Sequence, residues 1–121
     1  MHLEELQRLL AGGEDSQHQF KREITHPDSL AAELVALSNS GGGQIFVGVE
    51  DDGRISGLSP QQVRAFNQLL SNTASNNVRP PIHPSTQNIA TEQGVVIVVT
   101  VAAGLNQPYM DAQGRVWVKN G

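Results

Sequence analysis

Apolar residues recur at helical spacing in two stretches near the start of the chain. Between 3 and 10, four leucines share one face of a segment that a pair of glycines ends, which predicts a short amphipathic helix. A second stripe of leucines, alanines and a valine runs from 30 to 37 and ends at the three glycines 41–43. Asp28 or Ser29 is placed to cap this second helix, since short polar side chains accept hydrogen bonds from the first amides of a helix.

A third helix is predicted to begin after Ser59. Serine is a favoured N-cap residue, Pro60 suits the first helical position, and Gln62 stands three residues after the serine, where it completes a capping box. Apolar positions between 63 and 70 face one side, and the helix is expected to fade in the polar run 71–77. The sequence therefore predicts three helices.

Alternation of apolar and polar residues, with turn residues between the runs, predicts about seven short strands. They lie at 18–24, 44–50, 54–58, 85–90, 95–102, 109–110 and 115–119. The proline pair after Arg79 predicts a rigid extended connection. Six strands form three hairpins, and the strand at 95–102 is apolar on both faces, which predicts a central position. The fold class is therefore α/β in the α+β sense, with a mixed, largely antiparallel sheet of hairpins and about three helices packed mainly on one face.

The length of 121 residues is that of one ordinary domain, and 38% hydrophobic residues suffice for one modest core. We therefore expect residues 1–121 to form a single domain. The chain contains no cysteine, which excludes disulfides, thiolate metal ligands and cysteine nucleophiles. The N-terminus lacks the character of a signal peptide, and the longest apolar run, 95–103, is much shorter than the roughly 20 residues that cross a bilayer. A cytoplasmic protein without a membrane partner is predicted.

Charge is distributed unevenly along the chain. The net charge is −4, which by itself disfavours a polyanionic partner, because nucleic-acid affinity comes largely from lysine and arginine. Residues 1–53 hold ten acidic and three basic residues, whereas residues 54–121 hold two acidic and five basic residues. Such asymmetry between halves is a recognised hint of a charged partner.

The stretch 39–58, NSGGGQIFVGVEDDGRISGL, carries a family signature. It resembles the Schlafen-type, Alba-like (AlbA_2) family in its helix end with paired glycines, its apolar strand ending in Gly-Val, its acidic turn and its second strand ending in Gly-Leu. Two further segments agree, at 13–21 and 108–119, so that the resemblance covers residues 13–121.

The resemblance implies a DNA-binding domain. Members of the family stand at the N-terminus of bacterial proteins described as transcriptional regulators, and they also occur in the vertebrate Schlafen proteins. In such proteins the last strand continues into a Gly-Ser turn and further domains, whereas this sequence stops at Asn120-Gly121. We therefore expect an N-terminal fragment of a longer protein that has further C-terminal domains.

Residues 115–119 carry the chemistry that best suits nucleic acid. Strand alternation would place Arg115, Trp117 and Lys119 on one face, with Val116 and Val118 on the other. The two cations would contact phosphates and the indole would stack on a base or ribose, unless Trp117 belongs to the core. The resemblance adds a lysine in the opening strand. The predicted nucleic-acid-binding residues are Lys21, Asn39, Gly42, Gly43, Arg54, Arg115, Trp117 and Lys119.

Four of these residues also have a purely structural interpretation. Asn39 is placed to cap its own helix, and Gly42 and Gly43 are placed to end that helix and to let the next strand enter closely. Amides near the two glycines could contact a phosphate, but they follow a helix C-terminus, where the dipole is negative, and no P-loop lysine follows. Arg54 is equally well placed for an ion pair with Asp52.

A metal-dependent ribonuclease, or a decayed relative of one, is a second hypothesis. The resemblance to the vertebrate Schlafen nucleases implies two glutamates from the opening segment and an aspartate. Glu14 matches the first, and Asp51 or Asp52 could supply the last; carboxylates of this kind hold Mg²⁺ or Mn²⁺. Gln19 stands where the second glutamate is expected, and an uncharged amide weakens both metal binding and general-base catalysis. The chain is therefore predicted not to work as an enzyme by itself.

The sequence leaves three functions open. The first is a DNA-binding module of a transcriptional regulator with little base specificity, and RNA is an alternative partner. The second is the nuclease, which alone would require a Mg²⁺ or Mn²⁺ cofactor. The third is an interaction domain that assembles a larger regulator without binding nucleic acid. The histidines show no zinc-site spacing and there is no Gly-x-Ser-x-Gly motif, while homo-oligomerisation is left open.

Overall fold

Three helices and six strands form the described part of the chain, which in this computed structural model comprises residues 1–105 and 108–119. The predicted continuation beyond 120–121 lies outside the described residues. In chain order the elements are α1 (Leu3–Ala11), β1 (His18–Lys21), α2 (Pro27–Asn39), β2 (Gly43–Val47), α3 (Pro60–Asn76), β3 (Val78–Arg79), β4 (Ser85–Thr91), β5 (Gly94–Val101) and β6 (Met110–Asp111). Within these described ranges, no helix combines the length and apolar character that crossing a membrane requires.

The main sheet has four strands in the order β1-β2-β5-β4. β1 runs parallel to β2, as a strand-helix-strand connection through α2 requires, and the other two pairs are antiparallel. The prediction of an α+β fold with a mixed, largely antiparallel sheet is therefore confirmed. A separate antiparallel pair joins β3 to β6.

Two apolar clusters cover the two faces of the main sheet. One cluster combines α2 and α3 with alternate residues of the two central strands, among them Ile45, Ile97 and Val99. The other combines Leu6 and Leu10 of α1 with the intervening residues of those strands. β5 thus supplies apolar side chains to both faces and is central, as its sequence predicts. Two of the three helices lie on one face, and α1 covers the opposite face.

The predicted returning strand at 54–58 is reduced to two isolated bridges, one between Val49 and Ile55 and the other between Leu58 and Val95. The predicted acidic turn before it is present. The N–H groups of Ser56 and Gly57 donate to the Gly48 carbonyl, each at 2.9 Å, and the backbones of Leu58 and Val95 then exchange hydrogen bonds of 2.8 and 3.0 Å. The segment therefore changes partner midway, which an alternating sequence pattern does not reveal.

The predicted hairpin between 109–110 and 115–119 is wrong. β6 pairs with β3 instead, in a stretch predicted as a rigid connection, and residues 115–119, all of which are described, form no strand. The turn itself is present, with the Asp111 N–H donating to the Arg115 carbonyl at 3.0 Å. Beyond the turn, polar side chains take backbone groups that a strand ladder would otherwise use.

Two helix ends differ from the predictions. His26, rather than Asp28 or Ser29, caps α2, since its ring Nδ1 accepts a hydrogen bond from the Asp28 N–H at 3.3 Å. The predicted capping box of α3 is present. This helix nevertheless continues through the polar run to Asn76, because residues 73–74 are buried against the core.

Candidate nucleic-acid interface

The C-terminal end of α2 anchors residues 109–119, here called the C-terminal segment. Asn39 accepts the backbone N–H of Tyr109 at 2.7 Å through its side-chain oxygen. Its side-chain amide donates to the carbonyl oxygens of Tyr109 and Trp117, at 3.0 and 2.9 Å. The side chain of Asn39 therefore does not cap its own helix. It joins two points of the C-terminal segment to α2, and so positions Trp117.

Two lysines meet on one carboxylate beside this anchor. The backbone N–H of Lys119 donates to the Ser40 hydroxyl at 2.8 Å, and its Nζ lies 2.7 Å from Oε2 of Glu33. Lys21 Nζ lies 3.5 Å from Oε1 of the same carboxylate. The side chains of Glu33 and Lys119 are only 17% and 19% exposed, whereas that of Lys21 is 38% exposed. These three residues form the Glu33 cluster, which carries two positive charges and one negative charge.

Strand alternation explains why Lys21 reaches α2. Phe20 packs in the cluster under α1, so its neighbour Lys21 projects towards the opposite face, where Glu33 lies. β1 ends at Lys21 and is shorter than predicted. Ile24, which a strand over the whole of 18–24 would place on the same side as Phe20, packs instead with α2 and α3.

A buried carboxylate fixes the turn of the C-terminal segment. Oδ1 of Asp111 accepts the backbone N–H groups of Gln113 and Arg115 at 3.0 and 2.9 Å. Oδ2 accepts Nε–H of Arg115 at 2.8 Å and Nε1–H of Trp117 at 2.9 Å. Burial alone would raise the pKa of Asp111, but the hydrogen bonds from Trp117, Arg115 and Gln113 outweigh it and lower the pKa to about 2. Asp111 is therefore the negatively charged centre around which Arg115 and Trp117 are arranged.

The lowered pKa of Asp111 predicts that the C-terminal segment is released only at strongly acidic pH. A carboxylate whose pKa is lower in the folded than in the unfolded chain stabilises the fold fully above its usual value of 3.8. That contribution is lost as the pH falls through about 2. Because Trp117 is the only tryptophan, its emission should stay constant from pH 7 to 4 and shift to the red between pH 4 and 2. A shift complete above pH 4 would contradict the assignment, and Asp111→Asn should lack this acid step.

Arg115 and Trp117 form a partly exposed stacked pair. The guanidinium carbon of Arg115 lies 5.4 Å from the centre of the Trp117 ring. The Arg115 side chain is 52% exposed and Trp117 is 38% exposed. Val116 and Val118 are exposed as well. Trp117 is thus not a core residue, and the pair presents a cation and an aromatic surface to solvent.

Five of the eight predicted binding residues are joined by these contacts, namely Lys21, Asn39, Arg115, Trp117 and Lys119. Arg54 lies elsewhere, in the acidic turn, where its Nε is 2.7 Å from Oδ2 of Asp52. This ion pair is the alternative that the sequence left open. Hydrogen bonds from the backbone and side chain of Arg54 hold the pKa of Asp52 below its usual value.

The two glycines lie close against the backbone of other segments. The Gly42 N–H donates to the Leu37 carbonyl at 2.8 Å, and a Cβ on Gly42 would lie 2.7 Å from the carbonyl oxygen of Val101. A Cβ on Gly43 would lie 2.6 Å from the carbonyl oxygen of Gln17. Backbone from two other segments thus fills the space beside each α-carbon. These contacts support the structural interpretation of the pair.

The carboxylates of the nuclease hypothesis do not form a shared site. Glu14 is exposed before β1, whereas Asp51 and Asp52 lie in the turn after β2. Among residues 1–105 and 108–119, no three His, Cys, Asp or Glu residues are grouped as metal ligands would be. Gln19 uses its side-chain amide to donate to the Asp15 carbonyl. The donor set therefore does not fit the two-glutamate, one-aspartate site that the resemblance implies.

Sequence reasoning missed three residues that organise this surface, namely Glu33, Ser40 and Asp111. Asp111 left a local signal, since an aspartate that begins a turn often accepts the amide two residues later. Its pairing with the Trp117 indole had no such signal. Glu33 looked like an ordinary polar residue of an amphipathic helix, and only the packing of β1 and the C-terminal segment reveals its two lysine partners.

Comparison with known proteins agrees with this fold. The family model described as Schlafen, AlbA_2 matches residues 14–121. A crystal structure of a protein from Corynebacterium diphtheriae gives a TM-score of 0.69 at 20% identity, over 98% of this chain and 28% of that chain. The solution structure of an N-terminal domain from Nitrosomonas europaea, of a protein described as related to the ATP-dependent DNA helicase RecG, gives 0.72 at 21% identity. This match covers 100% of this chain and 90% of the Nitrosomonas europaea domain. No curated protein matches the sequence.

Proposed function

The chain belongs to the Schlafen, AlbA_2 family, and from this premise we propose that it is a nucleic-acid-binding module whose partner is DNA. The proposal rests above all on the Arg115–Trp117 pair, which is exposed and held rigidly by Asp111. A guanidinium contacts phosphate oxygens well, and an indole stacks on a base or a deoxyribose. Rigidity favours binding, because little side-chain entropy remains to be lost.

The local charge supports weak binding with a modest dependence on salt. The surface holds three cations, Lys21, Arg115 and Lys119, and two carboxylates, Glu33 and Asp111, so that its net charge is +1 (three minus two). The whole chain carries −4. Affinity for a polyanion grows with the number of neutralised phosphates, so this surface would engage only a few of them. We therefore propose contacts to phosphate and sugar with little base specificity.

A role within a larger protein fits this modest surface. This chain spans 28% of the Corynebacterium diphtheriae protein that shares its fold. The Nitrosomonas europaea domain likewise stands at the N-terminus of a protein described in terms of a DNA helicase. We propose that the module belongs to a longer bacterial, cytoplasmic regulator of transcription, in which further domains supply the specificity that this surface lacks.

Removing the Arg115 side chain should weaken DNA binding and make it less dependent on salt. Loss of one phosphate contact lowers the salt slope by about 0.9, which corresponds to about an eightfold loss of affinity at ~0.1 M salt. Labelled duplex DNA would be titrated across a salt series with wild type and Arg115→Ala. Bases that stack on Trp117 should also quench its fluorescence, which gives a direct reading of the contact.

Two further variants separate binding from folding and from bulk charge. Arg115→Lys keeps the charge but loses the planar stack on Trp117, so its salt slope should stay near that of wild type while quenching changes. Arg8→Ala removes the same charge from α1, on the opposite face of the sheet, and should leave affinity nearly unchanged. Equal losses for Arg8→Ala and Arg115→Ala would reject this surface. Preference for single-stranded RNA would replace DNA as the partner, and no binding at ~50 mM salt would overturn the proposal.

A further inference from the structure

Glu33 is placed where a phosphate would bind. Its two oxygens face the ammonium groups of Lys119 and Lys21, at 2.7 and 3.5 Å. A phosphate oxygen pair would make the same contacts, because a carboxylate and a phosphate both present two anionic oxygens to lysine. The two lysines are therefore already neutralised in part by a group of the chain itself.

The two ion pairs are not equivalent. Lys119 is the more buried lysine, its ion pair is the shorter, and its backbone is fixed by the hydrogen bond to Ser40. Lys21 stands on the edge strand β1, is twice as exposed as Lys119, and has the longer ion pair. Lys21 can therefore turn outward to a ligand, while Lys119 stays with Glu33.

We propose that Glu33 is an internal competitor for the DNA backbone, so that phosphate binding requires Lys21 to exchange the Glu33 carboxylate for the phosphate. This inference rests on the proposed function and adds a residue that limits its strength. Glu33 lowers affinity in two ways, because it occupies Lys21 in the free protein and repels the phosphate in the complex. The surface thus binds DNA weakly because Glu33 opposes binding, and not because basic residues are lacking.

Replacing the carboxylate by an amide should strengthen binding. Glu33→Gln retains the shape and removes the charge, so that Lys21 no longer has to leave a carboxylate before it meets the phosphate. Lys21 contacts the phosphate in wild type and variant alike, so the salt slope should stay near that of wild type, while affinity at ~0.1 M salt should rise up to about fivefold, which is what a partly exposed ion pair contributes. Glu33→Asp keeps the charge and should bind like wild type. Glu5→Gln makes the same change of net charge on α1, across the sheet, and should bind like wild type as well.

The outcomes distinguish this inference from the proposed function. If wild type binds DNA and Glu33→Gln binds equally or more weakly, the competitor role is wrong while the function stands. The same holds if Glu5→Gln gives an equal gain, since bulk charge would then explain both. If neither wild type nor Glu33→Gln binds at ~50 mM salt, the proposed function fails and the inference fails with it. Trp117 emission and the thermal midpoint show whether each variant keeps its C-terminal segment folded.

Discussion

Asp111→Asn is expected to lower the free energy of unfolding by about 3 kcal/mol, because hydrogen bonds to a charged group contribute about 1.5–3 kcal/mol each. The carboxylate accepts four hydrogen bonds, two at each oxygen. An asparagine keeps only one accepting oxygen. If its NH₂ group faces the Arg115 and Trp117 side chains, donors meet donors there. If the amide flips, the NH₂ group faces the backbone N–H groups of Gln113 and Arg115. In neither orientation can the asparagine accept all four hydrogen bonds that Asp111 accepts.

Urea denaturation followed by tryptophan emission would measure this loss. Trp117 is the only tryptophan and bonds directly to Asp111, so the variant should also show red-shifted emission before unfolding begins. Asp51→Asn makes the same chemical change at an exposed turn position and should cost less than about 0.5 kcal/mol. Equal midpoints for wild type and Asp111→Asn would show that the four hydrogen bonds do not hold the segment.

The same variant links the structure to the proposed function. Arg115 and Trp117 contact each other and Asp111, so release of the carboxylate should disorder both. DNA affinity should then fall at least as far as in Arg115→Ala, although no cation has been removed and the net charge has become less negative. A pure charge effect would act in the opposite direction. A fall in the DNA affinity of Asp111→Asn would therefore show that geometry governs binding, and a rise would show that charge does.

The main sheet could be predicted because its signals are local. The continuous apolar run of β5 indicates a strand with two covered faces, and the Ser59-Pro60-Gln62 pattern indicates the start of α3. Each signal needs only residues within one element. The fate of 115–119 could not be predicted in this way. Its alternation also suits a strand, but side chains take its backbone groups: Asp111 accepts the Arg115 N–H, Asn39 donates to the Trp117 carbonyl, and Ser40 accepts the Lys119 N–H.

The candidate site was predictable only in part, for the same reason. Arg115, Trp117 and Lys119 could be chosen by their chemistry, and Lys21 by the family resemblance. Their organising partners act across the chain. Asn39 binds backbone groups 70 and 78 residues away, and Glu33 brings together lysines from two distant segments. Nothing in the sequence around Asn39 distinguishes this role from capping its own helix.

Gly42→Ala is expected to destabilise the fold far more than Gly41→Ala. Both glycines have positive φ, +92° at Gly41 and +85° at Gly42. An alanine in that region costs about 1–2 kcal/mol at either position. At Gly41 the nearest atom to an added Cβ is a side-chain nitrogen 3.9 Å away. At Gly42 the Cβ would lie 2.7 Å from the Val101 carbonyl oxygen and 2.8 Å from the Ala103 nitrogen.

The extra cost at Gly42 is that of moving backbone. Val101 ends a central strand, so the contact cannot be relieved by turning a side chain, and overpacking of this kind costs about 1–3 kcal/mol more. Gly42→Ala should therefore lose about 2–5 kcal/mol, against about 1–2 kcal/mol for Gly41→Ala. Urea midpoints of the two variants, measured side by side, give the comparison. Equal losses of unfolding free energy in the two variants would mean that the backbone at Val101 and Ala103 shifts at little cost.

The glycine pair of variants also tests how the surface binds DNA. If the close approach at Gly42 is structural, folded Gly42→Ala should bind DNA with the affinity of wild type at temperatures well below its midpoint. If amides near Gly42 and Gly43 held a phosphate instead, affinity would fall while the protein remained folded. Unchanged affinity in Gly42→Ala would leave Arg115, Trp117 and Lys21 as the groups that contact the DNA. Glu33 would then be the residue that limits the affinity of these contacts.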